Sequence, residues 1–240
     1  MARLSCIMDK DMDLVYICRD GENEELRYSI RSAVKNLTHD KVWVVGGKPD
    51  WYTGNHIEVD QGKAKYTNAR NSLRAICESK EISESFILMN DDFYIMNKVD
   101  SVPYMYAGTL SDKIEQREDI FSGNTYTTLL KKTLGSLSRK KIEVVLDYEL
   151  HVPMIMEKKK LQKVLMLSGL WRSVYGNIFN VGGVKTRDVK VYDKVDKFYA
   201  NSYDINNLES DYLSSNDDSF KTIKSLILEE RFPSKTVYES

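Results

Sequence analysis

The sequence predicts an α/β fold built on a mostly parallel sheet flanked by helices, and three observations carry that expectation. Four short apolar runs stand at Asp13 to Cys18, Lys41 to Val45, His56 to Val59 and Ser85 to Met89. Stretches with helical periodicity lie between the first and second runs and between the third and fourth. The resulting order, strand, helix, strand, strand, helix, strand over the first ~95 residues, is the alternation of a parallel sheet with crossover helices.

Each element has its own signal. Asp13-Leu14-Val15-Tyr16-Ile17-Cys18 ends in Arg19-Asp20-Gly21, a buried strand feeding a loop. From Glu24 onward Leu26, Ile30, Ala33, Val34 and Leu37 recur at helical spacing, while Arg27, Arg31 and Lys35 fall four apart on another face. That helix packs inward and shows a cationic stripe. Lys41 to Val45 is a strand closed by Gly46-Gly47, and His56 to Val59 is a third, shorter one. Ala69, Leu73, Ile76 and Cys77 define a helix between Thr67 and Ser79, and Ser85 to Met89 runs into Asn90-Asp91-Asp92. Farther on, helices are expected around Asn124 to Thr133, Glu157 to Leu167 and Phe220 to Glu229, joined by irregular segments. Residues 1–105 and 106–240 read as two halves of one domain, the second more helical.

Composition excludes several classes. With 42% hydrophobic and 30% charged residues, 4 Pro and 12 Gly among 240, the chain has no disordered signature. A net charge of −1 from 35 basic and 36 acidic side chains provides no global field to gather nucleic acid or anionic membrane. Cys6, Cys18 and Cys77 show no CxxC spacing and read as buried reduced thiols. Met1 to Asp13 is charged where a signal peptide is apolar, and no run approaches ~20 apolar residues. A cytoplasmic protein without a membrane span is expected.

Ligands of parallel sheets bind beyond the carboxyl ends of the strands, where Arg19-Asp20-Gly21 and Asn90-Asp91-Asp92 fall. Adjacent carboxylates there suit a divalent cation and a diphosphate, or else they end the strand as a turn. His151-Val152-Pro153 is either a structural or a catalytic histidine segment. Trp171 to Asn177 has the composition of a loop that clamps phosphate with Arg172, or of core residues with Arg172 passing between them. Asn216-Asp217-Asp218 opens a helix, as a cap or as part of a site.

In this order the segments resemble the Stealth family of sugar-phosphate transferases over nearly the whole chain. Asp13-Leu14-Val15-Tyr16 with Asp20-Gly21 is similar to the family's first block, Asp-x-Val-Tyr-Thr-Trp-Val-x-Gly. Glu25 to Ser32, Lys41 to Val45, Pro49-Asp50-Trp51 and Phe86 to Phe93 are similar to the second. His151-Val152-Pro153 through Trp171-Arg172-Ser173 looks like a shortened third, and Asn216-Asp217-Asp218 with Phe232-Pro233-Ser234-Lys235 like the fourth. Asn90-Asp91-Asp92 also resembles the DxD-type motif of the GT-A fold. The chain departs from the family at Ile17-Cys18-Arg19, at Asp218, and in lacking large insertions.

The resemblance implies a Rossmann-like, GT-A-type sheet carrying a nucleotide-sugar, with UDP as the nucleotide and an acceptor side in the second half. Asn90, Asp91 and Asp92 would lie at the diphosphate, with Asp91 and Asp92 holding Mg or Mn. His151 becomes an acid/base or phosphate-contacting group, Arg172 a phosphate clamp and Asp217 a carboxylate of the same site. Asp20 is a candidate ribose partner, and Arg27 with Asn68, Arg70, Asn71 and Arg74 candidate nucleotide contacts. Transfer of sugar-1-phosphate, transfer of the sugar itself with release of UDP, and noncatalytic binding of a nucleotide-sugar are the three functions this leaves. The acceptor is a hydroxyl of a glycan, a polymer or a protein, and modified bases in DNA remain open.

Overall fold

The computed structural model describes residues 12–121, 124–192 and 210–240. Its centre is a five-stranded sheet of order β3-β2-β1-β4-β7, made of β1 (Asp13–Cys18), β2 (Val42–Gly46), β3 (Asn55–Glu58), β4 (Ser85–Asn90) and β7 (Met154–Glu157). The first four strands pair in parallel and β7 joins β4 antiparallel. The sheet is therefore mostly parallel, as the sequence predicts.

Strand alternation assigns the two faces. Leu14, Tyr16, Val42, Val44, Ile87 and Met89 point to the side covered by α1 (Glu24–Asn36), where Leu26, Ile30 and Ala33 meet them. Val15, Trp43, Val45, Phe86 and Leu88 point to the side covered by α2 (Lys65–Glu78), α5 (Lys158–Leu165) and α6 (Trp171–Ile178). Both faces are buried, so β1, β2 and β4 read as continuous apolar runs.

Polar groups fix the edges of these layers. At the amino edge the carboxylate of Asp13, 2% exposed, accepts hydrogen bonds from Lys41 N at 3.1 Å, Ser83 N at 2.8 Å and Trp43 Nε1 at 3.2 Å. One side chain thus ties together the entries to β1, β2 and β4. At the opposite edge Gly46 has φ +117°, and a Cβ on Gly47 would lie 2.5 Å from Asp20 N. Side chains there would push apart the loops after β1 and β2.

Beyond β4 the chain makes β5 (Phe93–Ile95), which pairs antiparallel with β9 (Tyr212–Ser214). The buried polar stripe of α1 satisfies the free edge of β5. Ser29 Oγ donates to Phe93 O, Ile95 N donates to Ser32 Oγ at 2.9 Å, and Asn36 Nδ2 donates to Ile95 O at 2.7 Å. A two-stranded ribbon of β6 (Met105–Tyr106) and β8 (Val184–Lys185) and the helix pair α3 (Leu110–Phe121) and α4 (Thr125–Ser138) complete this half. The chain then closes with α7 (Asp217–Ile223), a π-helical turn over Lys224–Leu228 and α8 (Glu229–Arg231).

Several expectations need correction. The segment from Trp171 is a helix and not a loop: it buries Val174 and Tyr175, and its Gly176 meets the ring of Tyr148, where a Cβ would come within 2.4 Å. The cationic stripe of α1 is not presented to a ligand. Glu239, its side chain 0% exposed, accepts from Arg31 Nη2 at 2.7 Å and from Arg27 Nη1 at 3.2 Å, and Arg27 also lies over Trp51. Cys18 and Cys77 are free and buried, while Cys6 lies outside the described residues. Among the described residues no helix is long and apolar enough to cross a membrane.

Asp13 begins the first block of the resemblance yet sits at the edge away from the strand carboxyl ends, which makes it a structural carboxylate. Hydrogen bonds to a charged acceptor are worth about 1.5–3 kcal/mol each, and orphaned buried donors add their own penalty. Asp13→Ala should therefore cost about 3 kcal/mol or more of stability in urea unfolding while leaving any activity per folded molecule unchanged. A stable but inactive variant would refute that assignment.

Candidate functional site

The site forms where β4 ends. Asn90 is the last residue of β4, paired with Ile17, and Asp91 and Asp92 form the turn into β5, so both carboxylates stand at the carboxyl edge of the sheet. Asp91 is engaged first. Asn23, held at φ 38° as the N-cap of α1, accepts from Leu26 N at 3.1 Å and donates Nδ2 to Asp91 Oδ2 at 2.6 Å. The loop after β1 and the turn after β4 are thereby locked together, side by side in the sheet.

Asp92 takes a cation instead. Lys190 Nζ lies 2.9 Å from Asp92 Oδ2, a pair with both side chains largely buried, while Asp92 Oδ1 is buried without a hydrogen-bond partner. Burial opposes the charge on Lys190, but the Asp92 carboxylate more than compensates and raises its pKa.

The antiparallel direction of β7 brings in the third segment. Leu88 pairs with Met154, so the residues just before Met154 lie beside the carboxyl end of β4. His151 is one of them. Its ring packs edge-on to Phe93, with centroids 6.0 Å apart, and its Nδ1 lies 2.7 Å from Asp188 Oδ2. The same carboxylate accepts from His151 N at 3.0 Å. Burial would raise the pKa of Asp188, but His151 and Lys113 hold it well below the usual carboxylate range.

Arg172, on α6, is 4% exposed and lies over the other side of Phe93 at 5.3 Å. Its Nη1 donates to Val152 O at 2.8 Å, which pins the histidine segment, and its Nη2 is buried without a partner. Burial lowers the pKa of the guanidinium, and Glu149, Asp92 and Asp188 stabilise its charge in return. Arg172 is thus a buried helix residue packed on Phe93, not part of an exposed loop.

Asp217 reaches the same region from α7. Asn216 caps that helix through a reciprocal pair with Ser219, at 2.8 and 3.0 Å. The Asp217 carboxylate is left to accept from Arg19 Nη2 at 3.1 Å, across the mouth of the β1 loop. Arg19 also stands 3.8 Å from Glu25, a buried residue in the first turn of α1.

Other expected contacts lie elsewhere or are already engaged. Asn68 bonds both ways to Gly62, at 2.9 and 2.7 Å, and Asn71 accepts from Arg74 at 3.0 Å. Arg70 donates to the carbonyls of Leu165 at 2.6 Å and Leu167 at 3.2 Å. Asp20 is exposed in the loop after β1, against Gly47. Arg27 is held by Glu239. Asp91, Asp92, His151, Arg172 and Asp217 do converge, joined by Asp188 and Lys190, which no local motif announces, and by Glu25, to which the sequence motifs give no site role.

The donor set bears on a metal. Asp91, the unpartnered Oδ1 of Asp92 and the exposed Asp217 are hard oxygen donors with excess negative charge, which suits Mg or Mn. Among the described residues no group of three or more His, Cys, Asp or Glu is arranged to hold an ion by itself. A cation held here would need further ligands from outside these side chains.

The crowding of carboxylates has a pH signature. Burial first, then Asp92, pushes Asp91 up to about 6, and burial with Asp91, Asp92 and Asp217 pushes Glu25 up to about 7. Both bind a proton more tightly folded than unfolded. Their contribution to stability is full below about pH 4 and is lost as pH rises through these values. Glu25→Gln should flatten the fall in stability between about pH 5 and pH 8, measured as urea midpoints at the two ends, and should raise the midpoint at the upper end. An unchanged slope would show that Glu25 is not strained.

No protein-family model matches the chain, and no curated protein matches it. Among solved structures it is similar to the glycosyltransferase GlyE of Streptococcus pneumoniae TIGR4, at 9% identity and a TM-score of 0.37, covering 71% of this chain and 43% of that one. The apo form of GlyE gives 8% identity and a TM-score of 0.39, with 74% and 45% covered. The chain spans less than half the length of these structures.

Proposed function

We propose that this chain is a nucleotide-sugar-dependent transferase that moves sugar-1-phosphate from a UDP-sugar to a hydroxyl acceptor. The observation that carries the reading is the meeting of two unlike groups across Phe93. A pair of carboxylates, Asp91 and Asp92, stands at a strand's carboxyl end, and beside it His151 is hydrogen-bonded to Asp188 over the buried Arg172. Carboxylates there suit a metal-bound diphosphate, and a cation-backed histidine suits deprotonation of an acceptor as charge builds on phosphorus. The ordered resemblance to the four Stealth blocks supports the same chemistry.

In this reading the acceptor oxygen attacks the distal phosphorus, its proton passes to His151, and the bond to the nucleoside monophosphate breaks. Arg172 and Lys190 offset the developing negative charge from their fixed positions. A divalent cation held by Asp91 and Asp92 would supply further charge neutralisation on the diphosphate. The loop after β1, with Asp20, would face the ribose.

The test is mass spectrometry after incubation with a panel of nucleotide-sugars, Mg or Mn and candidate hydroxyl acceptors. The expected products are UMP and an acceptor heavier by a hexose-type phosphate, with Asp92→Asn slower on the order of 100-fold or more. UDP with an acceptor gaining only the sugar would establish a glycosyltransferase instead, in which His151 and Arg172 position the acceptor. Tight binding of a nucleotide-sugar with neither hydrolysis nor transfer would mark a noncatalytic module.

Asp217 separates a helix cap from a working carboxylate. Its pair with Arg19 is exposed, 61% and 76%, and such pairs contribute less than about 1 kcal/mol. Asp217→Ala should leave the melting temperature within about 2 °C of the parent and lower turnover at least tenfold. Unchanged turnover would confine Asp217 to the first turn of α7.

A further inference from the structure

We infer that Asp188 is the positioning residue that fixes the tautomer and orientation of His151, so that Nε2 is the basic nitrogen of the site; this rests on the transferase reading for its function but not for its geometry. The carboxylate meets the histidine twice. One oxygen accepts from the His151 backbone at 3.0 Å and the other lies 2.7 Å from the ring Nδ1. An acid held below its ordinary range accepts and does not donate, so the proton of the neutral imidazole sits on Nδ1. Nε2 then carries the lone pair.

The surroundings hold that arrangement in place. Phe93 packs edge-on to the imidazole, and Arg172 pins the Val152 carbonyl next to it. Nε2 makes no hydrogen bond to another described residue, and the ring is 29% exposed, so this nitrogen is the one open to an acceptor. Asp147, 2.7 Å from Lys113, and Glu149, beside Arg172, are carboxylates one step removed; acting on Asp188 itself are Lys113 on α3, Arg172 on α6 and Lys190, two residues along its own segment. All three are cations, so they favour the carboxylate and disfavour transfer of the histidine proton to it. In the transfer step the acceptor's O–H proton goes to Nε2, the new O–P bond forms as the P–O bond to UMP breaks, and Nδ1 keeps its hydrogen. Asp188 stabilises the imidazolium without becoming protonated.

Asp188 is remote in sequence and belongs to no recognised block, yet Lys190 two positions later holds Asp92. A single short segment therefore sets both the histidine and the carboxylate of the site.

Two readouts test the inference. Long-range ¹⁵N–¹H correlation spectra of the wild-type protein should show His151 above its pKa as the Nδ1–H tautomer, and Asp188→Asn should convert it to a mixture or to Nε2–H. In sugar-phosphate transfer, Asp188→Asn should lower kcat on the order of 100-fold with little change in KM for the donor, and should move the acidic limb of the pH profile to lower pH. An Nε2–H tautomer in the wild type would overturn the inference whether or not the variant folds. A variant with a lower melting temperature but an unchanged tautomer and pH profile would reduce Asp188 to a structural contact. A wild-type protein that transfers nothing in the product assay would defeat the transferase reading and the base role together, and the spectra would still decide the positioning.

Discussion

The direction of one edge strand organises the site. Because β7 runs antiparallel to β4, the chain enters the sheet at the edge where the parallel strands leave it. A fifth parallel strand would have put His151 on the far edge, beside Asp13. The reversal instead sets His151 next to Phe93 and Asp92, and α6 returns Arg172 beneath them. Three segments distant in sequence then share one aromatic ring as their common wall.

Electrostatics decides how those segments are held. Burial first, and then the mutual repulsion of Asp91, Asp92, Glu25 and Asp217 at the strand ends, makes Asp91 and Glu25 hold protons above the ordinary carboxylate range. Exposed pairs such as Arg19 with Asp217 contribute little, and the buried pair of Lys190 with Asp92 matters mainly because loss of either partner would leave a charge uncompensated. The molecule accepts strain at this edge that it avoids at the other. At the amino edge every oxygen of Asp13 has a donor.

The sheet was readable because burial on both faces writes itself as apolar runs, and β1, β2 and β4 fall within a residue or two of where those runs lie. What escaped has physical causes. The strand β7 is only four residues long and leads straight into α5, so the helical pattern absorbed its end. Among the described side chains of α3 only Leu110 and Ile114 are buried, beneath a charged surface, a stripe too thin to register in the sequence. The helix α6 carries a glycine whose reason, the flat face of Tyr148, is 28 positions away in the chain. Within the site, Asp91, Asp92, His151, Arg172 and Asp217 were each visible as local oddities. Asp188, Lys190 and Glu25 acquire meaning only from partners that tertiary folding supplies.

The buried Glu239 has a consequence for the order in which the molecule is assembled. It satisfies Arg31, 208 positions earlier, and Arg27 with it, while Ser240 N closes onto Trp51 O. The first strands and α1 can come together without the segment around residue 239, but Arg27 and Arg31 then have aromatic neighbours, Trp51 and Tyr28, and no carboxylate. Closing so long a loop is entropically slow and rewards the chain only at the end. The helix that covers one face of the sheet is therefore completed only when the distant segment around Glu239 docks against it.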